Sequence, residues 1–416
     1  MIKILKYYSI LVLSLMFLLI MSCDICEIDN NEKIPPRELS VFEEQIVSSD
    51  NIFGIKLFKA LNDAEPDSNL FISPLSVSMA LGMALNGAAD STYEAMKNTL
   101  ELNGLSETEI NQAYKDLIEL LVNLDKKVVM QIANSIWYRD NFTVEPDFID
   151  VNKMYFDAEV QALDFDDANA PNIINNWVDE NTNGLIKKII DGGIPPEIVM
   201  YLINAIYFKG TWTYEFDEKD TKDELFNNYD NSISTIPLML QEADFPYFET
   251  DDFQAVDLPY GDSLFTMTVI LPKDGEDINE IAKTIDNDTW INWTNQLYTN
   301  EVKVYLPKFT LEWESSLVDV LVTLGMGIAF DPYQADFSRI NPNPYGVENL
   351  YISDVIHKAI VKVNEEGTEA AAVTSVEFGL TSIPQIVEIR IDHPFIFAIR
   401  ERYSGTILFM GKVLSL

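Results

Sequence analysis

Residues 365–382 read EEGTEAAAVTSVEFGLTS, and this stretch decides the fold. It has no proline, no basic residue and no large side chain before Phe378. Thr368, Ala370, Ala372, Thr374, Val376 and Phe378 share one parity and are all uncharged. Glu369 and Glu377 share the other, with Ala371, Val373, Ser375 and Gly379. In a strand each parity faces one side of the sheet, so the stretch suits a strand with an uncharged inner face. Central strands exclude proline, and the first one here is Pro384. A second reading stands beside it: an exposed helical turn favoured by three alanines and capped by Thr368.

The flanking sequence supplies both helix and sheet. Residues 199–208 (VMYLINAIYF) and 264–271 (LFTMTVIL) are continuous apolar runs rich in β-branched and aromatic residues. They predict central strands covered on both faces. Ser73-Pro74 opens a helix that ends near Gly87, with apolar residues from Leu75 to Leu85 nearly encircling it. Such a helix is buried. Phe53, Leu57 and Leu61 recur every fourth position after Ser48-Ser49-Asp50, which predicts an amphipathic first helix capped there. A buried helix within a large mixed sheet assembly is an α+β arrangement.

The chain has 416 residues, 47% apolar and 23% charged, with a formal charge of −39. That charge repels nucleic acid and anionic membranes, so a partner drawn by the field is basic. An acidic surface kept for solubility is the plainer account. The only histidines are His357 and His393, and residues 27–416 contain no cysteine. A histidine-rich metal site, an internal disulfide and a cysteine nucleophile are therefore excluded from the main body. A Ser–His–Asp hydrolase would have to use one of the two histidines, and no G-x-S-x-G elbow is present.

At the N-terminus Lys3 and Lys6 precede a largely apolar stretch, Tyr7 to Ser22, that ends at Cys23. Ile20-Met21-Ser22-Cys23 resembles a bacterial lipobox, in which the cysteine is lipidated. The expected product is an exported protein held to the cell envelope by a lipid on Cys23. A retained anchor helix is the alternative. Residues 1–22 are then a signal peptide, 23–45 an acidic tether containing Pro35-Pro36, and 46–416 one domain.

Seven motifs in order carry a resemblance. They are NLFISPLSVSMALGMALNGAADST (69–92), INNWVDENTNGLI (174–186), LINAIYFKGTW (202–212), LPKF (306–309), GM…F…ADFS (325–338), HKAIVKVNEEGTEAAAVT (357–374) and FMGKVL (409–414). Together they resemble the serpin family over nearly all of 46–416. The resemblance implies one domain with three β-sheets, eight to nine helices and an exposed reactive-centre loop. It implies an inhibitor rather than an enzyme. A protease is trapped as a covalent acyl complex when the cleaved loop inserts into the main sheet.

The resemblance assigns residues one by one. Glu365, Glu366, Gly367, Thr368, Glu369, Ala370, Ala371, Ala372, Val373 and Thr374 match the hinge of inhibitory members. Counting fifteen residues from Gly367 puts the scissile bond at Thr381–Ser382, with Leu380 in reserve. Neither residue before the bond is basic, so elastase-, chymotrypsin- or subtilisin-like serine proteases are the expected targets, and papain-like cysteine proteases a further class. Ser73, Ser76, Asn204 and His357 match the shutter, a hydrogen-bonded cluster under the point where the sheet opens. Trp212 matches the breach tryptophan, and Lys308 pairs with Glu365. His393 receives no function. Glu101, Glu107, Glu109, Asp116 and Glu119 occupy the segment where a heparin-binding member carries basic residues, so no polyanion cofactor is expected. No metal or other cofactor is expected, and the protein is expected to be a monomer. A non-inhibitory serpin that binds partners and is merely cut is the alternative function.

Overall fold

The apolar runs at 199–208 and 264–271 and the Ser73 cap have counterparts in the computed structural model, which describes residues 36–342, 349–368 and 386–416. The helices are α1 (Val41–Ala64), α2 (Pro74–Leu85), α3 (Asp90–Thr99), α4 (Glu107–Asn123), α5 (Pro146–Phe156), α6 (Ala170–Asn181), α7 (Ile278–Thr284), α8 (Asn287–Gln296) and the single turn α9 (Val318–Leu321). The strands are β1 (Leu70–Ile72), β2 (Val128–Arg139), β3 (Glu159–Leu163), β4 (Met200–Thr211), β5 (Lys222–Asn227), β6 (Ile233–Glu249), β7 (Phe253–Tyr260), β8 (Phe265–Pro272), β9 (Tyr298–Pro307), β10 (Phe309–Ser316), β11 (Ile356–Val363), β12 (Gly367–Thr368), β13 (Val387–Arg390), β14 (Phe395–Glu401) and β15 (Ile407–Val413). Residues 39–416 form one unit, α+β in class.

Among the described residues the strands form two sheets. The smaller runs β10-β11-β12-β4-β2-β3, and the larger runs β1-β15-β14-β8-β7-β6-β9-β13 with β5 on β6. Three sheets were expected from the resemblance. The seventeen-residue β6 joins strands into one, because it pairs with β9 through Leu238–Tyr247 and then with β7 through Tyr247–Glu249.

Helix α2 lies between the sheets. Ser73 caps it through its side chain, Pro74 stands in its first turn, and eleven of its twelve residues are buried. Gly87 follows it where a Cβ would come within 2.2 Å of the Ile340 side chain, so any larger residue would have to displace that side chain. In β8 all eight residues are buried, as a strand covered on both faces requires. In β4 most positions are only half-buried, and Leu202, Asn204 and Ile206 line a cavity beside the strand.

The first helix corrects the sequence reading. It begins at Val41, within the stretch read as tether, because Ser40 and Glu43 form a reciprocal capping box. Ser48, Ser49 and Asp50 lie inside it and cap nothing. Ser49 instead donates to the Glu101 carbonyl at 2.8 Å, and Asp50 accepts from the Tyr114 hydroxyl at 2.9 Å.

Candidate functional site: a slot in the smaller sheet

Two strand edges face each other across the smaller sheet. One edge of β4 is paired with β2 from Met200 to Gly210, and one edge of β11 is paired with β10 along its whole length. Among the described residues only β12 stands between their other edges, with Gly367 opposite Thr211, and Thr368 opposite both Gly210 and Val363. Below it is a cavity of about 1010 Å³ lined by Leu202, Asn204 and Ile206 of β4 and by His357 and Ala359 of β11. Unpaired strand edges are templates for another strand. At the level of Thr368 the flanks stand one strand apart.

The top of the slot is fixed by hydrogen bonds. Gly367 has φ +149°, and a Cβ there would stand 2.1 Å from the Gly210 carbonyl oxygen, so no other residue fits. Thr368 is buried, with its hydroxyl 2.8 Å from that of Tyr260. Trp212 stacks on Tyr260 at 4.3 Å between centroids, and its indole N–H donates to the Asn364 carbonyl at 2.9 Å. Its backbone N–H donates to Glu366, and that of Phe216 to Glu365, both at 2.9 Å. Lys308 donates to Glu365 Oε2 at 2.8 Å, and the Thr221 hydroxyl to Oε1 at 3.0 Å. Burial works to raise the Glu365 carboxyl, but these donors together hold it below its ordinary value.

Beneath the slot a polar cluster ties α2 to both flanks. The Ser73 N–H donates to His357 Nε2 at 2.9 Å, and the Ser73 hydroxyl donates to the Leu408 carbonyl at 2.8 Å. The Ser76 hydroxyl donates to the Asn204 carbonyl at 3.3 Å, and Asn204 Nδ2 donates to Asn134 Oδ1 at 2.8 Å. Asn134 Nδ2 continues to the Phe156 carbonyl at 2.7 Å. Asn204 Oδ1 is buried and has no hydrogen-bond partner among the described residues. Burial lowers His357 to about 4, so the ring is neutral and its proton sits on Nδ1, since Nε2 accepts.

Neither histidine is arranged as a catalytic base. The Ser73 hydroxyl turns to a carbonyl, away from His357. His393 has Nδ1 2.9 Å from Asp392 Oδ1 and Nε2 2.8 Å from the Pro272 carbonyl, which occupies both nitrogens. The structure thus brings Ser73, Ser76, Asn204 and His357 together under the slot, and Trp212, Lys308, Glu365, Glu366, Gly367 and Thr368 around its top. Glu369, Ala370, Ala371, Ala372, Val373, Thr374, Leu380, Thr381, Ser382 and Cys23 lie outside the described residues. Sequence reasoning missed Asn134, Tyr260, Thr221 and Asn364. Asn134 alone had a signal, as the single polar residue among the inward-facing Val128, Met130, Ile132 and Ile136 of β2.

The family model for serpins (serine protease inhibitors) matches residues 48–416. An uncharacterised serpin-like protein of Thermococcus kodakarensis is 35% identical, over 93% of this chain and 90% of its own. The leukocyte elastase inhibitor of Equus caballus is 33% identical, over 89% of this chain and 99% of its own. The crystal structure of the thermophilic serpin tengpin in its native state superposes with a TM-score of 0.82 at 33% identity, covering 92% of this chain and 96% of that one. Serpins are generally protease inhibitors, not enzymes. The chain belongs to the serpin family.

Proposed function

We propose that this serpin is a single-use inhibitor of serine proteases of the elastase, chymotrypsin or subtilisin type, with papain-like cysteine proteases as a second class. The open slot carries the reading. Thr368 at its top fixes the register in which any following strand must pair. Continued antiparallel pairing sets residue 370 against Phe208 and Val361, 372 against Ile206 and Ala359, and 374 against Asn204 and His357. Those are the core-facing positions of both flanks, and the sequence offers Ala370, Ala372 and Thr374 for them. A Thr374 hydroxyl entering there has Asn204 Oδ1 as a waiting acceptor. On the outer face Glu369 meets Lys209 and Lys362.

The chemistry follows from the loop's place in the chain. The protease hydroxyl attacks the Thr381 carbonyl, an ester forms, and the Thr381–Ser382 amide breaks with Ser382 as the departing amine. The released strand enters the slot with the protease still esterified and carries it roughly 50 Å, at about 3.3 Å per residue. About fourteen new backbone hydrogen bonds at about 0.5–1.5 kcal/mol each amount to roughly 10 kcal/mol. That is comparable with the stability of a typical domain, about 5–15 kcal/mol, so an enzyme's active site is within reach of distortion. Leu380 is the reserve residue before the bond.

The same reading includes export, a lipid on Cys23 in the bacterial envelope, a monomeric state and inhibition without a polyanion. Labelled fatty acid carried by the natural chain and absent from Cys23→Ala tests the anchor. Thermal unfolding before and after loop cleavage tests insertion. The expected result is a rise of at least roughly 10 °C on cleavage. A midpoint that falls or stays put counts against it.

A further inference from the structure

The turn between β11 and β12 is built around Asn364. Its backbone N–H donates to the Gly367 carbonyl at 3.0 Å, and the Gly367 N–H returns to the Asn364 carbonyl at 3.2 Å. Glu365 and Glu366 are therefore the two loop residues of a hairpin that sets Thr368 opposite Val363. Two-residue hairpins favour turns with positive φ at the first loop residue, because those match the twist of the strands. Neither Glu365 nor Glu366 has a positive φ. The backbone alone does not favour this turn.

The side chain supplies what the backbone lacks. Asn364 Oδ1 accepts from the Glu366 N–H at 3.2 Å and from the Gly367 N–H at 3.1 Å, as an asparagine at the start of a turn can. The bond from the Trp212 indole to the Asn364 carbonyl ties the same turn to the chain leaving β4.

Register is what this turn decides. In the alternation of residues 368–378, a slip of one residue would bury Glu369 and Glu377, so the pattern forbids it. A slip of two residues keeps Thr368, Ala370, Ala372, Thr374 and Val376 in one uncharged class, so the pattern permits it. That second slip has to be blocked at the top of the slot. From the β4 side the close approach of Gly367 to the Gly210 carbonyl marks the position. From the β11 side Asn364 marks it.

We propose that Asn364 is the positioning residue of the hinge: its amide oxygen fixes the turn from which an inserting strand takes its register, and so governs how many attacks end in a trapped protease. This rests on the insertion reading. The ester between Thr381 and the protease is lost if water attacks its carbonyl, which returns the protease hydroxyl and leaves a Thr381 carboxylate. A hinge that must search for its register gives water more time.

The test compares the natural protein with Asn364→Ala, Asn364→Gln and Asn364→Asp, each mixed with pancreatic elastase, chymotrypsin and subtilisin. The readouts are the number of inhibitor molecules consumed per protease inactivated and the melting of each uncleaved protein. Asn364→Asp keeps an oxygen at the same distance from the backbone, whereas Asn364→Gln keeps the amide but moves it one carbon away. Consumption should rise about fivefold in Asn364→Ala and Asn364→Gln, and stay within about twofold of the natural value in Asn364→Asp. A merely structural asparagine would lower the melting of Asn364→Ala and leave its consumption unchanged. Equal consumption in all four proteins, or no rescue by Asn364→Asp, overturns the positioning role alone. A natural protein that traps none of the three proteases removes the insertion reading, and the positioning role with it. Asn364→Gln keeps the test open if Asn364→Ala does not fold.

Discussion

The backbone N–H of Ser73 donates to Nε2 of His357 at 2.9 Å, which pins the cap of α2 to the edge of β11 that lines the slot. This bond requires a neutral ring, because a protonated imidazole has no acceptor to offer. The helix cap and the gate of the sheet are one structure.

That bond makes a pH dependence. His357 titrates near 4 when folded, against about 6.5 unfolded. Above pH 6.5 both states are neutral and the group contributes no slope. As pH falls from 6.5 to 4 the unfolded chain takes up the proton first, so native stability drops by about 3 kcal/mol, and no further below 4. Asp50, pushed up to about 7 by burial, works in the opposite sense, so the informative quantity is natural protein minus His357→Gln. Denaturant unfolding at several pH values should show that difference shrinking between pH 6.5 and 4; a constant difference contradicts it.

Asn204→Ala leaves Asn134 Oδ1 without its donor beneath the slot. The expected cost is about 1–3 kcal/mol to the native sheet, since a buried polar atom is left unsatisfied. Size-exclusion chromatography after mild heating should reveal more inserted monomer or polymer than the natural protein gives. Unchanged monomer content and inhibition refute this.

Thr368→Arg places a long charged group where the threonine is 4% exposed and hydrogen-bonded to Tyr260. Burying that unpaired charge costs several kcal/mol, so the top of the slot cannot hold the residue from which the new strand must continue. Cleavage continues but trapping fails. The number of inhibitor molecules consumed per protease inactivated should rise at least roughly tenfold, and an unchanged ratio would show that the top of the slot does not govern trapping.

Glu365→Gln tests the fastening at the top. The Glu365 carboxyl is held below its ordinary value, so its contribution is present above the unfolded carboxylate's range and lost as pH falls through the folded value. Lys308 is 44% exposed and solvent screens the pair. The variant should lose only about 1 kcal/mol at pH 7 and match the natural protein under strong acid.

Much of this architecture was legible before any coordinates. The encircled helix at 74–85 and the continuous run that forms β8 follow from burial on all sides, a property of local sequence. Of the 368–378 stretch only Thr368 lies among the described residues, buried in β12. What stayed hidden depends on distant partners. Ser48, Ser49 and Asp50 look like a cap, but a serine eight residues earlier forms the better one, and their polar atoms are satisfied by Glu101 and Tyr114. The half-buried pattern of β4 accompanies the cavity beside it, which no periodicity reports.

The central claim is that the loop traps its protease. The protein should be mixed with pancreatic elastase, chymotrypsin, subtilisin and trypsin, then examined by denaturing gel and intact mass. The account predicts a covalent complex with at least one of the first three, none formed rapidly with trypsin, and a released fragment beginning at Ser382. Clean cleavage within 375–386 with full protease turnover and no complex would contradict it, and would leave a serpin that is cut without inhibiting.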